Sequence, residues 1–245
     1  MIATSFFSFV LLATAAVAAP KGRLAERLAR RAEGAHQSRP MQVVEQPELS
    51  NVSQVSYSSN WGRRRVGKEL PPSGGSGSYS ASAWVGIDGD TCGNAILQTG
   101  VDFTIDGGSV SYDAWYEWYP DYAYDFSGIS FSAGDTVKLT VTASSTTAGK
   151  AVIENVSTGK TVSKSITSSS ALCEENAEWI VEDYEEGSSL VPFANFGTVT
   201  FSGASASTGS GSTGPSGATI IDIQQNGKTL TSVSTSSNSV TVKYV

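Results

Sequence analysis

Few side chains in this sequence could carry out chemistry, and most of them are carboxylates. The single histidine, His36, lies in a basic N-terminal segment, so the remaining chain cannot build a Ser-His-Asp or Cys-His site or a histidine-ligated zinc site. The only cysteines are Cys92 and Cys173, and a disulfide between them would leave no thiol nucleophile. The Asp-Thr-Gly motif of pepsin-like enzymes is absent; its nearest match, residues 98–100, begins with a glutamine, which cannot ionise. If the chain is an enzyme, its acid–base chemistry therefore falls to carboxylates, which act as bases in acid because their ordinary pKa is near 4.

The segments that must position these groups have the patterns of β-strands. Residues 137–143 alternate strictly between apolar and polar side chains, as in a half-buried strand. Residues 150–156 and 161–166 flank a Ser-Thr-Gly turn and predict a hairpin. No helical pattern follows the N-terminal segment.

The C-terminal part continues the strand pattern. Asn226-Gly227 separates residues 220–223 from 228–230, which is a strong hairpin signal. Residues 239–245 predict a final strand, and the Gly- and Ser-rich residues 202–217 predict a flexible loop. Many short strands in one domain predict an all-β sandwich.

The first 52 residues differ from the rest. Residues 1–19 contain a short apolar run followed by Val17-Ala18-Ala19, which predicts a cleaved signal peptide and hence a secreted, extracellular protein. Residues 20–52 carry six basic and four acidic residues, whereas residues 53–245 have a net charge of −9. We interpret 20–52 as a basic propeptide that can bind the acidic domain at 53–245, although a disordered basic linker is the alternative.

Charge and export set further expectations. The overall net charge of −7 disfavours nucleic acid as a partner, and no mature segment is apolar enough for a membrane span. An oxidising compartment favours the Cys92–Cys173 bridge over two buried free thiols. Asn51 and Asn155 begin glycosylation sequons. Asp88-Gly89-Asp90 lacks the continuation of a calcium loop and is interpreted as a turn, so neither a metal nor another cofactor is expected.

Several long motifs, in the same order, resemble the fungal glutamic peptidases (eqolisins), the family of the scytalidoglutamic and aspergilloglutamic peptidases. The similarity runs over about residues 57–245. The matching stretches are residues 59–62 (SNWG), 83–89 (AWVGIDG), 95–102 (AILQTGVD), 112–120 (YDAWYEWYP), 176–183 (NAEWIVED) and 191–194 (VPFA).

The resemblance implies a sandwich of two curved antiparallel sheets, lectin-like or jelly-roll in outline, and an acid endopeptidase that pepstatin does not inhibit. It implies that Glu178 is the general base and then the general acid, and that Gln98 holds the attacking water and stabilises the tetrahedral intermediate. A neutral amide suits this task because it keeps its hydrogens at any acidic pH. From spacing alone, Gln98 would be a hydrogen-bonded strand residue and Glu178 one surface charge among several.

The same resemblance places five more residues around the cleft. Trp61 and Trp84 match cleft aromatics, and Asp88, Asp102 and Glu117 match positions that support the catalytic acids by hydrogen bonding. It also implies polypeptide substrates, and we expect a monomer inhibited by its own propeptide.

One segment departs from the family pattern. Between Trp61 and Trp84 the family has a longer segment of alternating strands, whereas residues 62–80 here begin with three arginines and two prolines and continue with Ser and Gly. An inactive homologue is therefore one alternative function. A carbohydrate-binding sandwich, with sugars stacked on the aromatics of residues 112–126, is a second, and a glycosidase using Glu117 and Glu178 is a third.

Overall fold

The computed structural model describes residues 36–44, 55–58, 61–62 and 77–245, and for His36, 55–58 and 61–62 the description is limited to the backbone. The predicted signal peptide, most of the predicted propeptide, Asn51 and the arginine-rich part of segment 62–80 lie outside these residues. Within them, no helix is long and apolar enough to cross a bilayer.

The described residues form twenty strands and no helix, as the all-β prediction requires. The strands are β1 (His36–Gln37), β2 (Val55–Ser58), β3 (Trp61–Gly62), β4 (Ser78–Ile87), β5 (Ile96–Asp106), β6 (Ser109–Tyr119), β7 (Tyr124–Asp125), β8 (Val137–Ser145), β9 (Ala148–Asn155), β10 (Lys160–Thr167), β11 (Ala177–Glu182), β12 (Glu185–Glu186), β13 (Ser189–Leu190), β14 (Thr198–Ser202), β15 (Ala206–Thr208), β16 (Gly211–Thr213), β17 (Ile220–Gln225), β18 (Lys228–Thr229), β19 (Thr231–Thr235) and β20 (Ser239–Tyr244).

One antiparallel sheet of six strands, in the order β3-β11-β4-β5-β6-β7, forms the first layer. Its centre is the hairpin of β5 and β6, which Gly107 and Gly108 close with φ angles of 56° and 86°. Two consecutive residues of positive φ make the turn whose twist matches the strands, and glycine adopts that conformation without strain.

Two three-stranded sheets, β14-β20-β19 and β10-β9-β8, cover one face of the large sheet. Against the first, Phe103 and Val181 of the large sheet pack with Phe196 and Val242. Against the second, Trp118 packs with apolar side chains of β8 and β10. Side chains of alternating residues point to opposite faces of a strand. The other face of the large sheet carries buried polar residues beside an apolar cluster that includes Trp84 and Trp115, and we call it the polar face. The arrangement confirms the sandwich.

Most of the local predictions are confirmed. The pattern at 137–143 is strand β8, and the segments around 157–159 pair as β9 and β10. Asn226 and Gly227 have φ angles of 52° and 74° and connect β17 to β18. One pair, β2 with β17, is parallel.

The prediction of a flexible loop over residues 202–217 is wrong. Strands β15 and β16 form a hairpin there, with Thr208 opposite Gly211. The composition of this segment gave a wrong prediction because Gly and Ser are also typical of tight turns, and the threonines beside the turn favour extended backbone.

The disulfide between Cys92 and Cys173 is present. It ties the connection between β4 and β5 to the segment that leads into β11. The aromatic run at 112–126 divides between the two faces of β6, with Trp115 on the polar face and Trp118 in the core.

Asn155 is expected to carry no glycan, in contrast to the prediction from its sequon. Its side chain is fully buried, and Nδ2 donates to Ser130 O at 3.0 Å and to Asp135 Oδ2 at 2.8 Å. A sugar would replace one of these two hydrogens and would have no space. Mass spectrometry of the protein from a glycosylating host, after enzymatic deglycosylation in H₂¹⁸O, checks this; incorporation of ¹⁸O at residue 155 would contradict it.

Candidate active site

The two residues predicted as the catalytic pair lie in one row across the polar face of the six-stranded sheet. In the strand register, Glu178 of β11 is opposite Gly86 of β4, Gly86 is opposite Gln98 of β5, and Gln98 is opposite Glu117 of β6. Adjacent strands are about 4.8 Å apart, so the backbones at Glu178 and Gln98 are separated by roughly 10 Å. Two side chains of this length can converge over the strand between them.

Glycine at position 86 leaves room for the indole of Trp84 beside this row. A Cβ there would lie 2.7 Å from the ring of Trp84 and 3.5 Å from the Cβ of Gln98. Gly100 has the same role in the next row, where a Cβ would lie 2.5 Å from the Cβ of Trp84. The indole of Trp84 therefore lies close to the sheet surface between two positions without side chains.

Glu182 fixes the Trp84 indole. The indole Nε1 donates a hydrogen bond to Glu182 Oε2 at 2.9 Å, and both residues are buried. Glu182 was not among the residues that the sequence predicted for the site. The signal that could have found it is the strand period, because Glu178 and Glu182 are four residues apart on β11 and so lie on the same face.

Gln98 has an unusual environment. Its side chain is fully buried, and neither Oε1 nor Nε2 makes a hydrogen bond to the described part of the chain. Buried amides almost always have partners, and the exceptions occur where a functional group must be kept available. Glu178 is 2% exposed and Glu117 is fully buried, so the row is shielded from solvent.

Asp88 was predicted to support the catalytic acids by hydrogen bonding, but its carboxylate binds the backbone instead. Its carboxylate accepts four backbone N–H groups, from residues 173–176, at 2.7–3.2 Å. These hydrogen bonds hold the segment that leads directly into β11 and Glu178. Asp88 itself has a φ of 68°, which fits the predicted turn.

Asp102 and Trp61 are the remaining residues that were predicted around the cleft. Asp102 is fully buried on the polar face, opposite Ser82 and Asp113, two rows from Gln98. Trp61 is opposite Glu182 at the sheet edge, and its side chain lies outside the described atoms.

A short segment of the predicted propeptide, residues Gln37–Met41, lies on this face, and we call it the strap. The backbone N–H of Ser38 donates to Glu117 Oε2 at 3.1 Å, and that of Arg39 donates to Glu182 Oε1 at 3.2 Å. Ser38 is fully buried. The strap thus contacts carboxylates of two strands, β6 and β11, that flank β4 and β5.

Further contacts fasten both ends of the strap. Strand β1 pairs antiparallel with β12, and Arg39 Nε lies 2.7 Å from Glu185 Oε2. At the other end, the backbone N–H of Met41 donates to Gly89 O at 3.1 Å, and the Met41 side chain packs against the cluster that contains Trp84.

A second buried acid lies beside the site. Burial raises the pKa of Asp183 to about 8; a hydrogen bond from Gln225 Nε2, at 2.7 Å, acts in the opposite direction, and the neighbouring charge of Glu182 adds to the increase. Asp183 directly follows β11, so its side chain points away from that of Glu182 and towards β17.

Comparison with known proteins agrees with these observations. Residues 44–244 match the model of the Peptidase A4 family. The chain is 48% identical to aspergillopepsin-2 of Aspergillus niger, with 96% of each chain covered. It is 41% identical to scytalidopepsin B of Scytalidium lignicola, covering 97% of this chain and 96% of the relative.

Solved structures show the same fold. The crystal structure of aspergilloglutamic peptidase from Aspergillus niger is 60% identical with a TM-score of 0.66, covering 68% of this chain and 99% of that one. Scytalido-glutamic peptidase with a transition state analog inhibitor is 45% identical with a TM-score of 0.68, covering 76% and 98%.

Proposed function

The chain belongs to the Peptidase A4 family of glutamic peptidases, and from this premise we propose that it is a secreted acid endopeptidase with Glu178 and Gln98 as its catalytic pair. The observation that carries the proposal is the row of Glu178, Gly86 and Gln98, in which a buried amide, with no hydrogen-bond partner among the described residues, is two strands from a buried carboxylate. The family's solved structure with a transition state analog inhibitor supports peptide hydrolysis.

In the proposed mechanism, Glu178 removes a proton from a water molecule held between its carboxylate and the Gln98 amide. The resulting hydroxide attacks the carbonyl carbon of the scissile bond, and the carbonyl oxygen gains the negative charge. Gln98 Nε2 donates a hydrogen bond to this oxygen, which a neutral amide can do at any acidic pH. Glu178 then returns the proton to the leaving nitrogen, and the bond breaks.

The low exposure of the row supports this chemistry. Hydrogen bonds to a developing charge are stronger where water is excluded. The glycines at 86 and 100 let the indole of Trp84 pack against the sheet beside the row, where a Cβ at either position would clash with it.

Acid proteolysis in the presence of pepstatin tests the proposed function. The purified protein should digest acid-denatured haemoglobin at about pH 3 with and without pepstatin, a pH at which carboxylate chemistry operates. Failure to cleave would favour an inactive homologue or a carbohydrate-binding sandwich. Cleavage of a glycan instead of protein would favour a glycosidase.

We also propose that residues 1–19 are a signal peptide and that residues 20–52 inhibit the domain at 53–245 until acid releases them. The strap supports the second part, because its amides bind Glu117 and Glu182 on the proposed catalytic face. Acid weakens the contact from the side of the domain, since carboxylates lose their charge while arginine keeps it.

A peptide of residues 20–52 should therefore inhibit the mature domain well at about pH 6 and poorly at about pH 3, and salt should weaken the inhibition at the higher pH. The same peptide with Arg39→Ala should bind about 5-fold more weakly at pH 6, because it lacks the ion pair with Glu185. Inhibition constants measured with a fluorogenic peptide check this.

The matched control is Arg31→Ala, which removes the same charge from the peptide. Equal losses from both substitutions would show that inhibition depends on net charge alone and would contradict a specific contact at Arg39. Inhibition independent of pH and salt would contradict the electrostatic account altogether.

A further inference from the structure

We propose that a cleft between β6–β7 and β10, on the opposite side of the large sheet from the polar face, binds the sugar rings of a neutral glucan chain. This inference goes beyond peptide hydrolysis, because it assigns a second ligand to a second site. The aromatic run at 112–126, which has no part in the proposed mechanism, supplies most of this site.

The cleft lies where the edges of two sheets meet. Strand β7 is the edge of the six-stranded sheet, and β10 is the edge of the sheet β10-β9-β8. Tyr116 and Trp118 alternate along β6 with Trp115 and Glu117, so they point away from the polar face. The cleft has a volume of about 370 Å³, within the range of about 300–1,000 Å³ for small-molecule sites. Its lining residues are Tyr116, Trp118, Asp121, Tyr124 and residues 164–168.

Three aromatic side chains form the apolar wall of the cleft. Tyr116 is opposite Tyr124 in the strand register, and their rings stack with centroids 5.8 Å apart and an interplanar angle of 25°. Trp118 is buried, and its indole Nε1 is held by a hydrogen bond to Ser170 O at 2.9 Å. Tyr124 is 41% exposed, so much of its ring surface is accessible to a ligand.

Two opposite charges lie beside this wall. Asp121 Oδ1 accepts hydrogen bonds from the backbone N–H of Tyr122 at 2.8 Å and from the Tyr124 hydroxyl at 3.1 Å, which fix the carboxylate relative to the ring. On the other side of the cleft, Lys164 Nζ lies 5.7 Å from the centroid of the Tyr116 ring. Within the described part of the chain Lys164 makes no ion pair, so no carboxylate takes up its ammonium hydrogens.

This lining suits a neutral sugar better than an ion. Its one carboxylate and one ammonium group balance in charge, and together they offer a strong acceptor and strong donors. A sugar hydroxyl both donates and accepts, so it can bind either group, whereas Asp121 repels an anion and Lys164 repels a cation.

The aromatic wall selects among sugars. The ring hydroxyls of a β-linked glucosyl unit are all equatorial, so both faces of the ring present C–H groups. Such a face packs on the electron-rich face of an aromatic ring, and Tyr124 offers an accessible one. A glucan chain is therefore the ligand class that matches the apolar and the polar parts of the cleft together.

Lys164 has an alternative role, because a charge that points inward from an edge strand blocks pairing with another chain. It lies between Val162 and Ile166 on one side of β10, and Ile166 packs against the cluster that contains Trp118. Protection of the edge requires the charge but neither Tyr124 nor Asp121. The two roles therefore give different results on substitution.

Isothermal titration calorimetry tests the site with two soluble glucans of different linkage, cellohexaose and laminarihexaose. At about pH 5, above the ordinary pKa of carboxyl groups, we expect the protein to bind at least one of them. Tyr124→Ala should weaken this binding by about 10-fold, because it removes the accessible stacking surface. The matched control is Tyr122→Ala: Tyr122 is 45% exposed but does not line the cleft, and the variant should keep the parent's affinity.

Lys164→Ala should weaken glucan binding by about 5-fold, because it removes a charged hydrogen-bond donor. Lys160→Ala is its control, since Lys160 has the same charge on the same strand and lies outside the lining. If Lys164→Ala self-associates on size-exclusion chromatography and binds glucan as tightly as the parent does, Lys164 only protects the edge and its place in the site is refuted.

Two further results would overturn the inference: binding of neither glucan by the folded protein, or equal affinities of Tyr124→Ala and Tyr122→Ala. The glucan that binds should also leave kcat/KM on a fluorogenic peptide unchanged at saturation, because the cleft and the polar face are on opposite sides of the sheet. Competitive inhibition would place the sugar on the polar face and would equally refute the cleft. Peptide hydrolysis is measured without glucan as well, so the proposed function stands or fails independently.

Discussion

Replacement of Glu178 by glutamine is expected to reduce peptide hydrolysis by at least about 10³-fold while leaving the fold intact, because it removes the proposed proton acceptor without changing side-chain volume. Glu178 is 2% exposed and is opposite Gly86, so no other carboxylate of β4 can take its place in the row. The measurement is kcat on a fluorogenic peptide at about pH 3, with thermal unfolding as the test of folding.

The control for this substitution is Glu175→Gln. Glu175 is exposed, lies three residues before Glu178, and its backbone N–H, not its side chain, is bound by Asp88. We expect it to retain nearly full activity. Substantial activity in Glu178→Gln would remove Glu178 from the mechanism and would point to another acid of the polar face, such as Glu117.

Gln98→Glu tests the second member of the proposed catalytic pair independently. It replaces the hydrogen-bond donor with a group that carries negative charge when ionised and places a second carboxyl group near Glu178, so we expect a loss of about 10²–10³-fold. If it were as active as the parent, Gln98 would not be the donor to the tetrahedral intermediate.

Much of the fold could be predicted because the relevant signals are local. The alternation in β8 and the Asn226-Gly227 turn depend on neighbouring residues, and both are confirmed. The loop predicted over residues 202–217 failed for a related reason: glycine and serine are as typical of the turn between β15 and β16 as they are of a flexible loop.

The candidate site was predictable only through the family motifs. Glu178 and Gln98 are 80 positions apart in the sequence and meet because β4 lies between their strands, a pairing that no local pattern specifies. The same distance hid Glu182 and the backbone contacts of Asp88. The first binds an indole 98 positions away, and the second binds backbone amides 85 to 88 positions away.

Charge counting could not have predicted how residues 37–41 of the predicted propeptide contact the domain. The excess of basic residues in 20–52 suggested attraction to an acidic domain. The strap contacts that domain through the backbone amides of Ser38, Arg39 and Met41 and through side chains that include Arg39 and Met41, and backbone amides carry no signal in a count of charges.

Asp183→Asn should stabilise the protein at neutral pH and leave its stability in acid almost unchanged. Asp183 is 1% exposed, its Oδ2 accepts a hydrogen bond from Gln225, and Oδ1 has no partner in the described part of the chain. Burial raises its pKa to about 8 in the folded protein, against 3.8 as the ordinary value. An asparagine keeps an oxygen to accept the hydrogen bond from Gln225 and never ionises.

The direction of the stability change depends on whether the folded or the unfolded chain releases the proton of the Asp183 carboxyl at the lower pH. Below about pH 4 both the folded and the unfolded chain hold the proton, and the group does not affect stability. As pH rises from about 4 to 8 the unfolded chain releases the proton while the folded chain keeps it, so the free energy of unfolding falls by about 1.4 kcal/mol per pH unit. The total loss is on the order of 5 kcal/mol and is complete above the folded pKa. Burial also raises the pKa of Asp222 on β17, which adds to the same trend.

Urea unfolding at about pH 3, 5 and 7 measures the effect, and a Glu178→Gln background prevents self-digestion during the acid measurements. We expect the free energy of unfolding of Asp183→Asn to match that of its parent at pH 3 and to exceed it by several kcal/mol at pH 7.

The control is Asp135→Asn. The backbone N–H of Ser132 and the side chain of Asn155 lower the pKa of Asp135, so neutralising it should give no gain in stability at pH 7. A pH-independent difference between Asp183→Asn and its parent would contradict a raised pKa at Asp183, because only a group whose proton affinity differs between the folded and unfolded chain makes stability depend on pH. If the difference appears as expected, the Asp183 carboxyl lowers stability at neutral pH but not in the acid range where the proposed Glu178 and Gln98 chemistry operates.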